Sequence, residues 1–138
     1  MNSFMHLLQQ RPLVFVHIVA ALVCLALGSV LLMRRKGTTA HRALGWSWVV
    51  AMASVAGTSL FIRGGGMPNI AGFSPIHLLS LTVAVLLPRA ILQARAGRIA
   101  AHRQSMRALY FGGCVVAGLF TLLPARLLGS QLWTALAA

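Results

Sequence analysis

The 138 residues include no aspartate and no glutamate. That absence excludes whole classes of chemistry. Paired-carboxylate catalysis is impossible, as is an oxygen cage for calcium or magnesium. So are a Ser-His-Asp triad and a proton relay of intramembrane carboxylates. Charge of any kind is scarce, at 9% of residues, where a soluble domain carries about a quarter. Cysteine occurs twice, as Cys24 and Cys114, each inside an apolar run. Both read as small core residues and not as a disulfide framework.

What is present is apolar. Hydrophobic residues make up 59% of the chain, with a mean hydropathy of +0.85, the composition of a membrane protein, and the length suits one domain. All the charge is basic, 12 Lys and Arg for a net +12, which raises nucleic acid as a partner. The positions argue against it. Most basic residues lie in short connections between apolar runs, where membrane topology accounts for them, and no stacking platform accompanies them. Anionic lipid headgroups are the expected counter-charge, so the bilayer is the expected partner and nucleic acid is not.

Four spans are predicted, over about 13–33, 40–62, 75–93 and 102–123. Pro12 opens the first, and its run of about 21 residues reaches roughly 30 Å, enough to cross hydrocarbon. Ala26-Leu27-Gly28 loosely fits a signal-peptide cleavage site. The run is longer than a signal core, however, and Arg11 is a thin basic flank, so it reads as a span. Thr38 and Thr39 are expected to cap the second span, and Trp46 and Trp48 to sit in an interfacial belt. Ser74-Pro75 starts the third span, with a kink expected at Pro88. Pro124 and Arg126 end the fourth, and an apolar tail around Trp133 is expected at the interface.

Loop charge sets the orientation. Arg34, Arg35, Lys36, Arg42, Arg95, Arg98, Arg103 and Arg107 belong to the first and third connections, while the opposite side has Arg11, Arg63 and Arg126. The positive-inside bias then puts the first group in the cytoplasm and both termini on the periplasmic side of an inner membrane.

The chain also repeats itself. Val16-His17-Ile18 is answered by Ile76-His77-Leu78, and Arg35-x-Gly37 by Arg95-x-Gly97. Ala40-His41-Arg42 leads, after twelve intervening residues, to Val55-Ala56-Gly57, and Ala101-His102-Arg103 leads at the same spacing to Val116-Ala117-Gly118. The expected fold is an all-α membrane protein, an up-down-up-down four-helix bundle of two repeated hairpins.

In such a bundle helices 1 and 3 are diagonal, as are 2 and 4. His17 and His77 then share one level and His41 and His102 another, separated by roughly 20 Å of helix. Two imidazoles per level fall short of a zinc site but suffice for haem iron, whose porphyrin supplies four nitrogens. The expectation is two b-type haems, with His17 and His77 as axial ligands of one and His41 and His102 of the other. Small residues on the same faces (Ala21, Cys24 and Gly28; Gly45; Ser80 and Ala84; Ser105 and Gly113) would leave room for a macrocycle. Arg42 and Arg103 at one level and Arg63 and Arg126 at the other would pair with propionates, with Arg89 within reach of the inner haem. His6 reads as solvated or lipid-facing. No residue is assigned to catalysis on a bound substrate. The function expected is transmembrane electron transfer, an oxidoreductase activity confined to electron exchange at the two faces. The alternative is a haem-free carrier of metal or quinone, or an accessory subunit of a larger membrane complex.

Lys36-Gly37-Thr38 through His41-Arg42-Ala43-Leu44-Gly45-Trp46, Ser74-Pro75-Ile76-His77-Leu78-Leu79-Ser80 and Leu122-Leu123-Pro124-Ala125-Arg126 resemble a bacterial family of uncharacterised four-span predicted membrane proteins, over about residues 13–129. That resemblance implies no activity. In architecture the chain is also similar to the ascorbate-reducible di-haem cytochromes b, which hold haem from alternate helices at two membrane levels. This likeness implies a quinol or ascorbate-like electron donor and a separate acceptor, in a homodimer or a larger membrane complex. The chain departs from those cytochromes in having four spans, and in the nearness of His41 and His102 to the membrane surface.

Overall fold

A computed structural model describes residues 11–62, 70–71, 75–123 and 127–137. All its regular elements are helices: α1 (Pro12–Met33), α2 (Thr39–Phe61), α3 (Pro75–Arg95), α4 (Ile99–Ala108), a π-helical segment (Leu109–Val116), α5 (Ala117–Thr121) and α6 (Leu127–Leu136). Three helices, over Pro12–Met33, Thr39–Phe61 and Ile76–Arg95, are long and apolar enough to cross a membrane. Their outward faces expose Val16, Leu22, Val50, Leu81, Val85 and Leu92, a surface suited to hydrocarbon.

Local chemistry sets the helix ends. Pro12 occupies the start of α1, where its missing N–H costs no hydrogen bond. Gly37 (φ 84°) follows α1 and Gly97 (φ 71°) follows α3, both in the left-handed region that glycine enters without a Cβ penalty. Thr38 caps α2, its hydroxyl accepting from His41 N–H at 3.1 Å, so the cap ties down the first turn that carries this histidine. α4 begins after Arg98 with no side-chain cap. Pro88 lies inside α3, which runs on through it.

The fourth apolar run departs from the expected single α-helix. α4, the π segment and α5, of 10, 8 and 5 residues, follow one another without a break. Backbone angles stay right-handed at both junctions, φ −63° and ψ −44° at Leu109, φ −62° and ψ −39° at Ala117. Gly112 and Gly113 are weak helix formers, so the α ladder widens at little cost. Leu109, Tyr110 and Cys114 are all buried within the widened turns.

α1 packs on α2, α2 on α3, α3 on α4, and the π segment contacts both α1 and α3. The core draws Cys24 and Leu31 from α1, Trp48, Ala51 and Met52 from α2, Val83, Leu87 and Ala90 from α3, and Leu109, Tyr110 and Cys114 from the π segment. Trp46 is exposed, as an interfacial residue would be, but Trp48 is 1% exposed and its Nε1–H donates to the Cys24 carbonyl at 3.0 Å. The belt expectation is corrected for Trp48: two positions along a helix are roughly 200° apart, so one of the two indoles turns inward.

A second correction concerns the small residues. A Cβ on Gly28 would run into the Tyr110 ring and meet Trp48 Nε1, and one on Gly113 would run into the Met52 methyl. These two glycines make room for large side chains of facing helices, so the opening expected at Gly28 and Gly113 is already filled. Gly28→Val is therefore expected to destabilise the protein by about 1–3 kcal/mol through overpacking, read as an earlier midpoint in denaturing-detergent titration. At Gly45 a Cβ meets nothing within 4 Å, so Gly45→Ala serves as the neutral control. α6 folds back so that the Trp133 Nε1–H donates to the Leu122 carbonyl at 3.1 Å, just beyond the end of α5.

Candidate functional site

The polar side chains inside the helices collect at two levels. The first lies toward the start of α1 and the end of α2. His17 Nδ1 lies 2.8 Å from Thr58 Oγ1. Thr58 has one hydroxyl proton and directs it back to its own helix, to Ser54 O at 2.6 Å or Val55 O at 3.2 Å. Its oxygen therefore accepts, and His17 donates from Nδ1–H. In the neutral imidazole this tautomer presents the lone pair at Nε2. The adjacent Ser59 hydroxyl bonds directly to that of Ser80 on α3, and Ser80 sits one turn beyond His77. His77 is 7% exposed and Ser80 equally buried. His17 and His77 thus border the same end of α2, His17 through its bond to Thr58 and His77 one turn from the Ser80 that bonds to Ser59.

The second level lies near the α1–α2 and α3–α4 turns. His102 donates Nδ1–H to the Ala90 carbonyl at 2.8 Å, which again leaves Nε2 as the nitrogen with a free lone pair. One turn on, Ser105 donates to Gln93 Oε1 at 2.8 Å, with Gln93 buried. His41 is half-buried. Its Nδ1 is buried with no hydrogen-bond partner among the described residues, which for a ring nitrogen invites a ligand. His102 and Lys36 are near enough to act electrostatically on His41, so His41 and His102 share one end of the molecule.

His41 and Thr58 are 17 residues apart on α2, which separates the two levels by about 25 Å. The interval is filled by the core. Tyr110 spans part of it, its hydroxyl 2.8 Å from Ser29 Oγ and donating to Leu25 O at 3.4 Å.

Arg42, Arg103 and Arg89 have exposed side chains. Arg42 and Arg103 each follow a histidine of the second level. Arg63, Arg126 and His6 lie outside the described residues. Among the described residues no group of three or more His or Cys side chains is placed to hold a metal ion. Sequence reasoning missed Thr58, Ser59 and Gln93, and treated Ser80 as a space-maker. The signal was available, because a polar side chain in a span is costly unless it has a partner. Hydroxyls can bond their own helix, however, so their presence alone names no partner.

Long apolar helices, an apolar outer surface and polar groups gathered inside at two levels define a multi-span membrane protein. The chain belongs to the family described as Predicted membrane protein (DUF2306), whose model matches residues 14–135. No curated protein and no solved structure matches it. The likeness to di-haem cytochromes b rests on the histidines alone.

Proposed function

We propose that the protein carries electrons across a bacterial inner membrane through two b-type haems, each held between two histidines: His17 with His77, and His41 with His102. One observation carries the reading: the interior polar groups form two layers, each with two of the histidines and separated by about 25 Å along α2. The donor set fits the group. Thr58 and the Ala90 carbonyl hold the Nδ1 protons of His17 and His102, as the hydrogen-bond partners of metal-ligating histidines do, and so orient Nε2. The Nδ1 of His41, without a partner among the described residues, is a further open nitrogen. A haem at each level would supply reversible one-electron exchange. Trp48, Met52, Leu109 and Tyr110 fill the middle and exclude water between the levels. Arg42 and Arg103, and by their sequence positions at the ends of the second and fourth runs Arg63 and Arg126, would supply cations for propionates.

In this reading the fourth helical run also spans, completing a four-helix bundle of two repeated hairpins. Packing of α1 on α2, α2 on α3, α3 on α4, and the π segment back on α1 supports it. So do the left-handed glycines, Gly37 and Gly97, after the first helix of each hairpin. The basic connections face the cytoplasm. A reporter that works only in the periplasm should be active when fused after Ala138, and a cytoplasmic reporter inactive there. The reverse pattern inverts the orientation.

The deciding experiment is an absorption spectrum of protein expressed with ample haem. A Soret band that shifts on reduction, with about two haems per chain, is the expected result for bis-imidazole sites. A colourless, folded preparation would reject electron transfer and favour a haem-free carrier or accessory subunit.

A further inference from the structure

Both cysteines of the chain, 90 positions apart, meet in the middle of the core. Cys24 comes from α1 and Cys114 from the π segment, and their side chains interact with each other without a disulfide. Met52 of α2 joins them, with Cys114 Sγ 3.7 Å from Met52 Sδ. Cys24 is 0% exposed, Met52 1% and Cys114 7%. Three sulfurs from three helices thus converge within the core.

We propose that Cys24, Cys114 and Met52 form a buried three-sulfur site for a soft monovalent metal ion, Cu(I). The spacing suits it. A trigonal site with metal–sulfur bonds of about 2.3 Å places its sulfurs about 4 Å apart, and the Cys114–Met52 separation is 3.7 Å. The ligand type suits it too, since thiolate with thioether selects Cu(I) over harder ions. Zinc lacks its usual ligand set here, because among the described residues no further His or Cys is grouped with the two thiols. Both thiols release their protons to solvent and bind as thiolates, and the thioether donates a lone pair, so the site carries a single negative charge. Copper remains Cu(I) throughout, so no oxidant or reductant is consumed. Cysteine and methionine often serve as adaptable packing. Packing alone, however, does not require the chain's two cysteines to meet each other and a methionine.

The test uses the full chain, reduced, in detergent and without oxygen, titrated with Cu(I) against a colorimetric Cu(I) chelator. One copper per chain should be withheld from the chelator, with a sulfur-only first shell in X-ray absorption. Cys24→Ala and Cys114→Ala should each surrender it. Cys24→Ala keeps the carbonyl that accepts from Trp48, so the helix contact survives, as circular dichroism and elution volume should confirm. Met52→Leu conserves volume and should weaken retention by at least the roughly tenfold that losing even an outer-shell partner costs. Copper yielded entirely by the folded wild type, a shell containing nitrogen, or zinc held in preference to Cu(I) each overturns the proposal. The site is independent of haem, and apo-protein expressed without haem should bind the same copper.

Discussion

His17→Ala and His77→Ala should each abolish the same haem, and the double substitution should lose little more than either single one. The reason is distance. His17 contacts Thr58 at 2.8 Å and His77 lies a turn from Ser80, which bonds to Ser59. The other two histidines lie about 25 Å away along α2, too far for one cofactor to join the levels. A pair that holds one iron acts as a unit, so its losses do not add. Removing one axial ligand leaves five-coordinate, labile iron, and a high-spin signal or haem loss should appear at one level only. His41→Ala and His102→Ala should behave alike for the other haem. Redox titration with low-temperature spectra separates the two sites, and a His6 variant should leave both intact. If His17→Ala instead matches His41→Ala and is independent of His77→Ala, the pairing is wrong.

The largest loss of stability is expected from Trp48→Ala. The indole is 1% exposed, its edge meets the space over Gly28, and its N–H reaches the Cys24 carbonyl. Truncating a buried tryptophan costs about 3–5 kcal/mol in a well-packed core. Within a bilayer the unfolded helices remain in hydrocarbon, so lost van der Waals packing, not water exclusion, carries the penalty. The lower part of that range is therefore expected, about 3 kcal/mol. Trp48→Phe should cost about 1 kcal/mol, chiefly the hydrogen bond. Trp46→Ala, at an indole 52% exposed, should stay within about 0.5 kcal/mol. Equilibrium unfolding in mixed micelles measures all three, and equal losses at Trp46 and Trp48 would falsify the inward placement of Trp48.

Local sequence determined the helix boundaries, the turns and the candidate ligands. Pro12, Thr38, Gly37 and Gly97 act within one turn of themselves, through a missing N–H, a hydroxyl or a missing Cβ, so their roles are readable without knowing the fold. The burial of Cys24 and Cys114 was legible for the same reason, since both lie in uninterrupted apolar runs. Which face of each helix turns inward was not legible. α1 and α2 are apolar nearly all round, and a helix without a polar side has no period to mark its packing face. Only tertiary contact decided that Trp48 points to the core and that Tyr110 and Met52 fill the space over Gly28 and Gly113. Tertiary contact also decided that Thr58 receives the His17 proton, that Ala90 receives that of His102, and that three sulfurs meet. These are relations between helices up to 90 positions apart, set by shape complementarity across an interface, where no rule of local spacing operates.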